Sequence, residues 1–221
     1  MILVLLGPPG AGKGTQATRL SEVFGLEHLS SGDVLRAERK SGTDLGQRVA
    51  SYMDAGELVP DEIIIEVILA RVLKAAEGSG VLLDGFPRTA AQAQKLDESL
   101  EAAGGGVDLV VSLVVPDEPI VARITGRRSC PTCGSVYHIA SLPPKAEGVC
   151  DKDGTALVQR SDDTEEVVAQ RLAAYHAQTE PLEAYYREQG LLAEVDGTQD
   201  IDAVFVQSRE VVRSRVGKVG S

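Results

Sequence analysis

The residues Met1 to Leu6 (MILVLL) form an apolar run with no alternation, and they pass directly into Gly7-Pro8-Pro9-Gly10-Ala11-Gly12-Lys13-Gly14-Thr15. A short continuous apolar run is the pattern of a strand buried on both faces of a parallel sheet. The nine residues after it follow G-x-x-x-x-G-K-[ST] with Gly14 set between Lys13 and Thr15, and a strand before and a helical pattern after give the context this motif requires. Its glycines let successive backbone N–H groups and the next helix's N-terminus wrap a polyphosphate. Gly10, Ala11, Gly12 and Gly14 would form the cradle, Lys13 would bring a point charge to the phosphate that moves, and Thr15 would place a hydroxyl near Mg²⁺. The competing reading is an ordinary glycine-rich turn, and the complete motif in its proper context outweighs it.

Val81–Leu83, Leu109–Val115 and Leu191–Val195 repeat the buried-strand pattern, and Glu27–Leu29 adds a short edge strand. Helical stretches fall at Lys13–Phe24, Asp61–Glu77, Ala90–Ala103, Glu118–Thr125, Thr164–Thr179 and Ile201–Arg213. Strand and helix in repetition predict an α/β fold, a doubly wound, parallel five-stranded sheet with right-handed crossovers. Two segments break the rhythm. Residues 30–59 are polar and helical in pattern, punctuated by Gly32, Gly42, Gly46 and Gly56. Residues 127–163 are rich in Gly, Pro and Cys, with β-like pieces at Val136–Ile139 and Ala156–Val158. The expected organisation is a core of residues 1–29, 60–126 and 164–221 carrying these two segments as mobile insertions. No internal repeat is expected, and the tail after Arg215 is expected to fray.

Charge narrows the partners. With 33 acidic against 22 basic residues, the net charge of -11 opposes a sequence-independent grip on nucleic acid, so any anion site must be local. The N-terminal apolar run is too short for a signal-peptide core or a membrane span, which predicts a cytoplasmic protein without membrane contact.

Three cysteines, at 130, 133 and 150, are an odd number in such a chain, and metal binding suits them better than structural disulfides. Cys130-Pro131-Thr132-Cys133, sixteen residues, then Cys150-Asp151-Lys152-Asp153 gives two close pairs on separate turns, the usual way to build a tetrahedral structural Zn²⁺ site. Asp151 is too near Cys150 to complete the second pair, so Asp153 is the expected fourth ligand. The competing reading is three free thiols in a loop.

Three segments together resemble adenylate kinases: GPPGAGKGTQ at 7–16, Ser30-Ser31-Gly32-Asp33-Val34-Leu35-Arg36, and Leu83-Asp84-Gly85-Phe86-Pro87-Arg88. The resemblance covers Met1 to about Arg213 and implies phosphoryl transfer from Mg·ATP to AMP, giving two ADP. It makes 30–59 the flap over the monophosphate and 127–163 the lid over ATP. For AMP it implies Ser31, Gly32, Arg36, Met53, Glu57, Leu58 and Val59, then Gly85, Phe86, Pro87, Arg88 and Gln92. Physically, Arg36 and Arg88 offer planar forks suited to a phosphate, and Gln92 an amide suited to an adenine edge. For ATP it implies the Gly10–Thr15 cradle, Arg123, Arg127, Val136, Tyr137 and Gln199. Arg160 and Arg171 would reach both nucleotides, and Asp84 would orient Mg²⁺. Some bacterial members carry the same three-cysteine-plus-Asp lid. Lys13, Arg88, Arg123, Arg160, Arg171 and Asp84 would then do the catalytic work by positioning and charge neutralisation, without a base.

A UMP or CMP kinase would share the cradle and the arginines. A zinc ribbon for nucleic acid conflicts with the acidic balance and the lack of aromatic platforms near the cysteines. A GTPase would need an N-K-x-D segment, which is absent. A monomer is the expected state.

Overall fold

The computed structural model describes residues 1–219, with side chains described as far as Arg215. Five strands, β1 (Ile2–Leu6), β2 (Glu27–Ser30), β3 (Val81–Asp84), β4 (Leu109–Val114) and β7 (Leu192–Asp196), form an all-parallel sheet in the order β2-β3-β1-β4-β7. Leu3 of β1 stands opposite Leu82 of β3 on one side and Leu109 of β4 on the other.

The apolar run of β1 feeds both faces. Ile2, Val4 and Leu6 pack on one side with Ile64, Ile68 and Val72 of α4 (Asp61–Ala76) and Leu96 and Leu100 of α5 (Ala90–Ala102). Leu3 and Leu5 pack on the other with Leu20 of α1 (Lys13–Phe24) and with Val204 and Val212 of α9 (Ile201–Val219). Period-two alternation between two apolar layers is what makes the run continuous in sequence. Each fully buried Leu contributes about 1.5–3 kcal/mol, so the central strands anchor whatever their carboxyl ends carry.

Those ends carry the site. Strand order reverses around β1, and in open α/β sheets the crevice for ligands lies outside the carboxyl ends at that reversal. Leu6 leads into the cradle, Asp84 closes β3, and Ser30 closes β2 and caps α2 (Ser31–Lys40) by accepting from Asp33 N at 3.2 Å. Helix α3 (Asp44–Ala55) follows, capped by Thr43 and ended by Gly56 at φ +73°.

The helical boundaries differ from expectation in three places. Helix α6 (Ile120–Thr125) begins at Ile120 rather than Glu118, because the residue before Pro119 is steered away from helical geometry. The stretch read as one helix from Thr164 to Thr179 is α7 (Glu165–Ala174) followed by a π-helical turn, Tyr175–Thr179, and the chain continues into α8 (Pro181–Glu188), which the sequence pattern did not reveal. The tail expected to fray after Arg215 instead stays helical through Val219; residues 220–221 lie outside the described residues.

Residues 127–163 form a separate small layer. β5 (Arg127–Ser129) pairs antiparallel with β6 (Val136–His138), and Val158 and Ala156 join through single bridges to Ser129 and Val149. No described helix is long and apolar enough to cross a membrane.

Candidate active site

The cradle is shaped by close approaches that only glycine permits. Gly7 has φ +132°, and a Cβ there would fall 2.6 Å from the Leu113 carbonyl oxygen of β4. Gly12, the residue before α1, has φ +95° and offers no side-chain cap, so the first N–H groups of this 12-residue helix are left for an anion. The Lys13 ammonium folds back over the loop, donating to the carbonyls of Gly7 at 2.7 Å and Pro8 at 2.8 Å. Burial, reinforced by Arg88, Arg171 and Arg127 and opposed by Asp84, pushes its pKa down to about 8. A polyphosphate in the cradle would reverse that penalty by supplying negative charge. Thr15 lies half-buried in the first turn of α1.

Facing the cradle is an open cleft that encloses about 120 Å³. It is lined by Pro9 and Lys13 of the cradle, by Gly32, Arg36, Met53, Glu57, Leu58 and Val59, and by Gly85, Pro87 and Arg88 after β3. Phe86, in a cis peptide with Pro87, is buried beneath. Arg88 is fixed at three points. Its Nε donates to Gly85 O at 2.7 Å, its Nη2 lies 3.4 Å from Ser31 Oγ, and its backbone N donates to Gln92 Oε1 at 2.8 Å. Burial first, then Arg171, depress the Arg88 guanidinium to about 10, with Asp84 opposing. Ser31, Arg88 and Gln92 also line a smaller recess continuous with Leu58 and Val59.

Arg127, Arg160 and Arg171 carry partners of their own. Arg171 pairs with Asp162 at 3.0 Å, Arg127 makes a two-pronged pair with buried Asp163, and Arg160 Nε donates to Ser129 Oγ at 3.0 Å. Burial and the neighbouring Arg127 and Arg36 lower Arg160 to about 10, and burial lowers Arg171 as well. Arg36 pairs with Asp33 and, against the effect of burial, holds that carboxyl below its usual range. Crowded cations, with Lys13, Arg88, Arg160 and Arg171 lowered chiefly by burial, define a site suited to a highly charged anion. Asp84 stands at the opposite pole, 3.6 Å from His28 Nε2, with Oδ2 just 3.4 Å from where a Gly14 Cβ would lie.

Some expected residues lie away from the cleft walls. Arg123 donates to Gly197 O at 3.0 Å, and Gln199 is exposed in the β7–α9 loop, bonded to Asp196 and Gln207. Val136 is exposed, whereas the Tyr137 ring turns into a small separate core against Cys130 and Cys150. Four residues were missed. Asp162 pairs with Arg171 and Asp163 with Arg127, Tyr175 walls the cleft, and Thr179 Oγ1 donates to Arg88 O at 2.8 Å. The paired acids just after Arg160 were a usable signal, since buried arginines call for carboxylates; Tyr175 and Thr179 depend on the π turn and left none.

Within residues 127–163, the ligand atoms of Cys130, Cys133, Cys150 and Asp153 all lie within 4.8 Å of one another. A tetrahedron of Zn–S bonds near 2.3 Å has edges of roughly 3.8 Å, and Cys133 Sγ lies 3.6 Å from Cys150 Sγ. The two pairs sit on equivalent turns. Cys130 N donates to Ser135 O and Gly134 N to Cys130 O; Cys150 N donates to Thr155 O and Gly154 N to Cys150 O. Gly134 and Gly154 share φ near +73° and +72°. CPTCGS and CDKDGT are therefore one turn used twice, a short internal repeat where none was expected. Asp153 occupies the place of Cys133, which fits the donor set of a structural metal.

The sheet, the cradle at its switch point and the facing arginine cluster define a P-loop enzyme of nucleotide phosphoryl transfer. The family model for adenylate kinase matches residues 5–191. An adenylate kinase of Archaeoglobus fulgidus is 50% identical over 212 residues, 96% of this chain and 98% of the relative. One of Oceanobacillus iheyensis is 46% identical over 215 residues, 97% and 100% of the two chains, and one of Caldicellulosiruptor bescii is 52% identical over 201 residues, 91% and 94%. The chain belongs to the adenylate kinase family.

Proposed function

We propose that the protein transfers the γ-phosphoryl group of Mg·ATP reversibly to AMP, giving two ADP, with residues 30–59 as a flap and 127–163 as a lid that close on the core of residues 1–29, 60–126 and 164–221. The observation that carries this reading is that Lys13 of the cradle, Arg36 and Arg88 line one cleft, which offers cationic groups to two phosphates. ATP would lie on the cradle, with Arg123, Arg127, Val136, Tyr137 and Gln199 on its side. AMP would place its phosphate between Arg36 and Arg88 and its adenine in the recess beside Gln92.

In-line transfer needs position and charge compensation more than covalent help. Lys13, Arg88, Arg123, Arg160 and Arg171 would neutralise the oxygens of the moving group, in a site where burial already desolvates Lys13, Arg88, Arg160 and Arg171. Asp84 and Thr15 supply the hard oxygen donors that would hold Mg²⁺, largely through its water shell. When bound, Mg²⁺ offsets phosphate charge. Closure would exclude water, the competing acceptor. The lid turns would hold structural Zn²⁺ with all four positions filled by protein. A cytoplasmic monomer acting on small nucleotides, without nucleic acid or membrane partners, fits the net charge of -11.

The test is ADP formation from Mg·ATP with AMP, GMP, UMP, CMP or no acceptor. Turnover with AMP far above the others, and little ADP without acceptor, is expected. Preference for UMP or CMP would overturn the base assignment, and rapid ADP formation without any acceptor would overturn the reading as a transferase.

A further inference from the structure

Gln92 is a buried amide, 2% exposed, whose two ends are both engaged by the protein. The Arg88 backbone N–H, which can only donate, meets Oε1 at 2.8 Å; the Asp61 carboxylate, which when ionised can only accept, meets Nε2 at 2.7 Å. Exchanging the oxygen and nitrogen would set N–H against N–H at one end and oxygen against carboxylate at the other. The flipped amide is thus opposed from both sides. Asp61 is itself held, for Thr89 Oγ1 donates to its second oxygen at 2.9 Å and accepts from Gln92 N at 3.2 Å. It opens α4, where the helix dipole favours a carboxylate.

An amide has two N–H groups and two lone pairs. Asp61 and Arg88 take one of each, which leaves one donor and one acceptor for the recess lined by Ser31, Leu35, Leu58, Val59 and Gly85. A 6-aminopurine edge sets a ring acceptor beside an amino donor; a 6-oxopurine edge sets a ring N–H donor beside a carbonyl acceptor. In one and the same base placement the two edges require opposite amide orientations.

We propose that Asp61 is a positioning residue that locks the flip of Gln92 and thereby selects a 6-aminopurine over a 6-oxopurine in the acceptor nucleotide. This rests on the assignment of the recess to the acceptor base. IMP is the sharpest probe, since it reverses the donor–acceptor order of AMP without the added amino group of GMP.

The experiment compares kcat/KM for AMP and for IMP at saturating Mg·ATP in the parent, Asp61→Ala and Asp61→Asn. The ratio is independent of the active fraction, so partial misfolding does not affect it. A two-point amide–base contact discriminates by roughly 5- to 150-fold. The AMP:IMP ratio should fall about tenfold in Asp61→Ala, chiefly through a higher KM for AMP, with the KM for ATP at the parent value. Asp61→Asn, which can face either end of the amide, should lower the ratio in the same direction by less. A parental ratio in either folded variant, whatever its thermal stability, overturns the lock and leaves the AMP assignment standing. A parent enzyme that uses IMP as well as AMP overturns both.

Discussion

Substituting Gly85 by Ala adds one methyl group where the backbone has φ +75° and where a Cβ would lie 2.8 Å from both Arg88 Nη2 and Ser31 Oγ. The left-handed backbone costs roughly 1–2 kcal/mol once a Cβ is present, which in a chain of this size corresponds to a fall in Tm of about 2–8 °C. Ordinary separations between such atoms are near 3.5 Å, so each polar group must retreat by roughly 0.7 Å. Both are the ends of flexible side chains, and the fold can absorb the shift. Catalysis cannot, because the displaced guanidinium gives up its 2.7 Å bond to Gly85 O and its aim into the cleft. Misplacement on this scale costs about 10²-fold. The assay is ADP formation with AMP varied at saturating Mg·ATP, paired with thermal unfolding. The expected result is a kcat/KM for AMP lowered about 10²-fold, with Tm lowered only modestly. A variant within threefold of the parent would show that Gly85 does not set the position of Arg88, and would refute this reasoning.

Protein purified without added zinc should contain one metal ion per chain, and a chelator should lower Tm while leaving the sheet core folded; metal analysis that finds none refutes the lid site, and Asp153→Ala should weaken retention. His176 is bonded to Glu180 and to Asp117, each at 2.9 Å, and these bonds raise its pKa above 6.5. A raised folded-state pKa stabilises fully below about pH 6.5 and loses its effect as pH rises through the folded value. The stability gap between the parent and His176→Gln, measured by urea unfolding, should therefore be widest in acid and close toward alkaline pH; a gap independent of pH contradicts the pairing.

Sequence exposed the parts of the site that are local in the chain. The cradle is nine consecutive residues, and β1 shows its double burial as an unbroken apolar run, so both could be read directly. The turn holding Asp153 was legible as spacing, yet its equivalence to the Cys133 turn became visible only through the shared hydrogen bonds and positive-φ glycines. The π turn at Tyr175–Thr179 carries no periodic signature of its own. One extra residue, with Glu180 N reaching back to Tyr175 O at 2.9 Å, turns Tyr175 and Thr179 inward and brings Thr179 onto Arg88 O. Pro181, which cannot donate, then restarts the chain as α8. Asp61 and Gln92 stand 31 residues apart and meet only because α4 and α5 pack on the same face of the sheet. No pattern along the chain announces such a pair.

The central claim is that the phosphoryl group passes directly from the nucleotide on the cradle to the one beside Arg88. The most direct measurement follows the label from γ-labelled ATP in the presence of Mg²⁺ and AMP. Label is expected in the β-position of ADP, with little in inorganic phosphate and none left on the protein. Label released as phosphate, or trapped on a side chain, would contradict it.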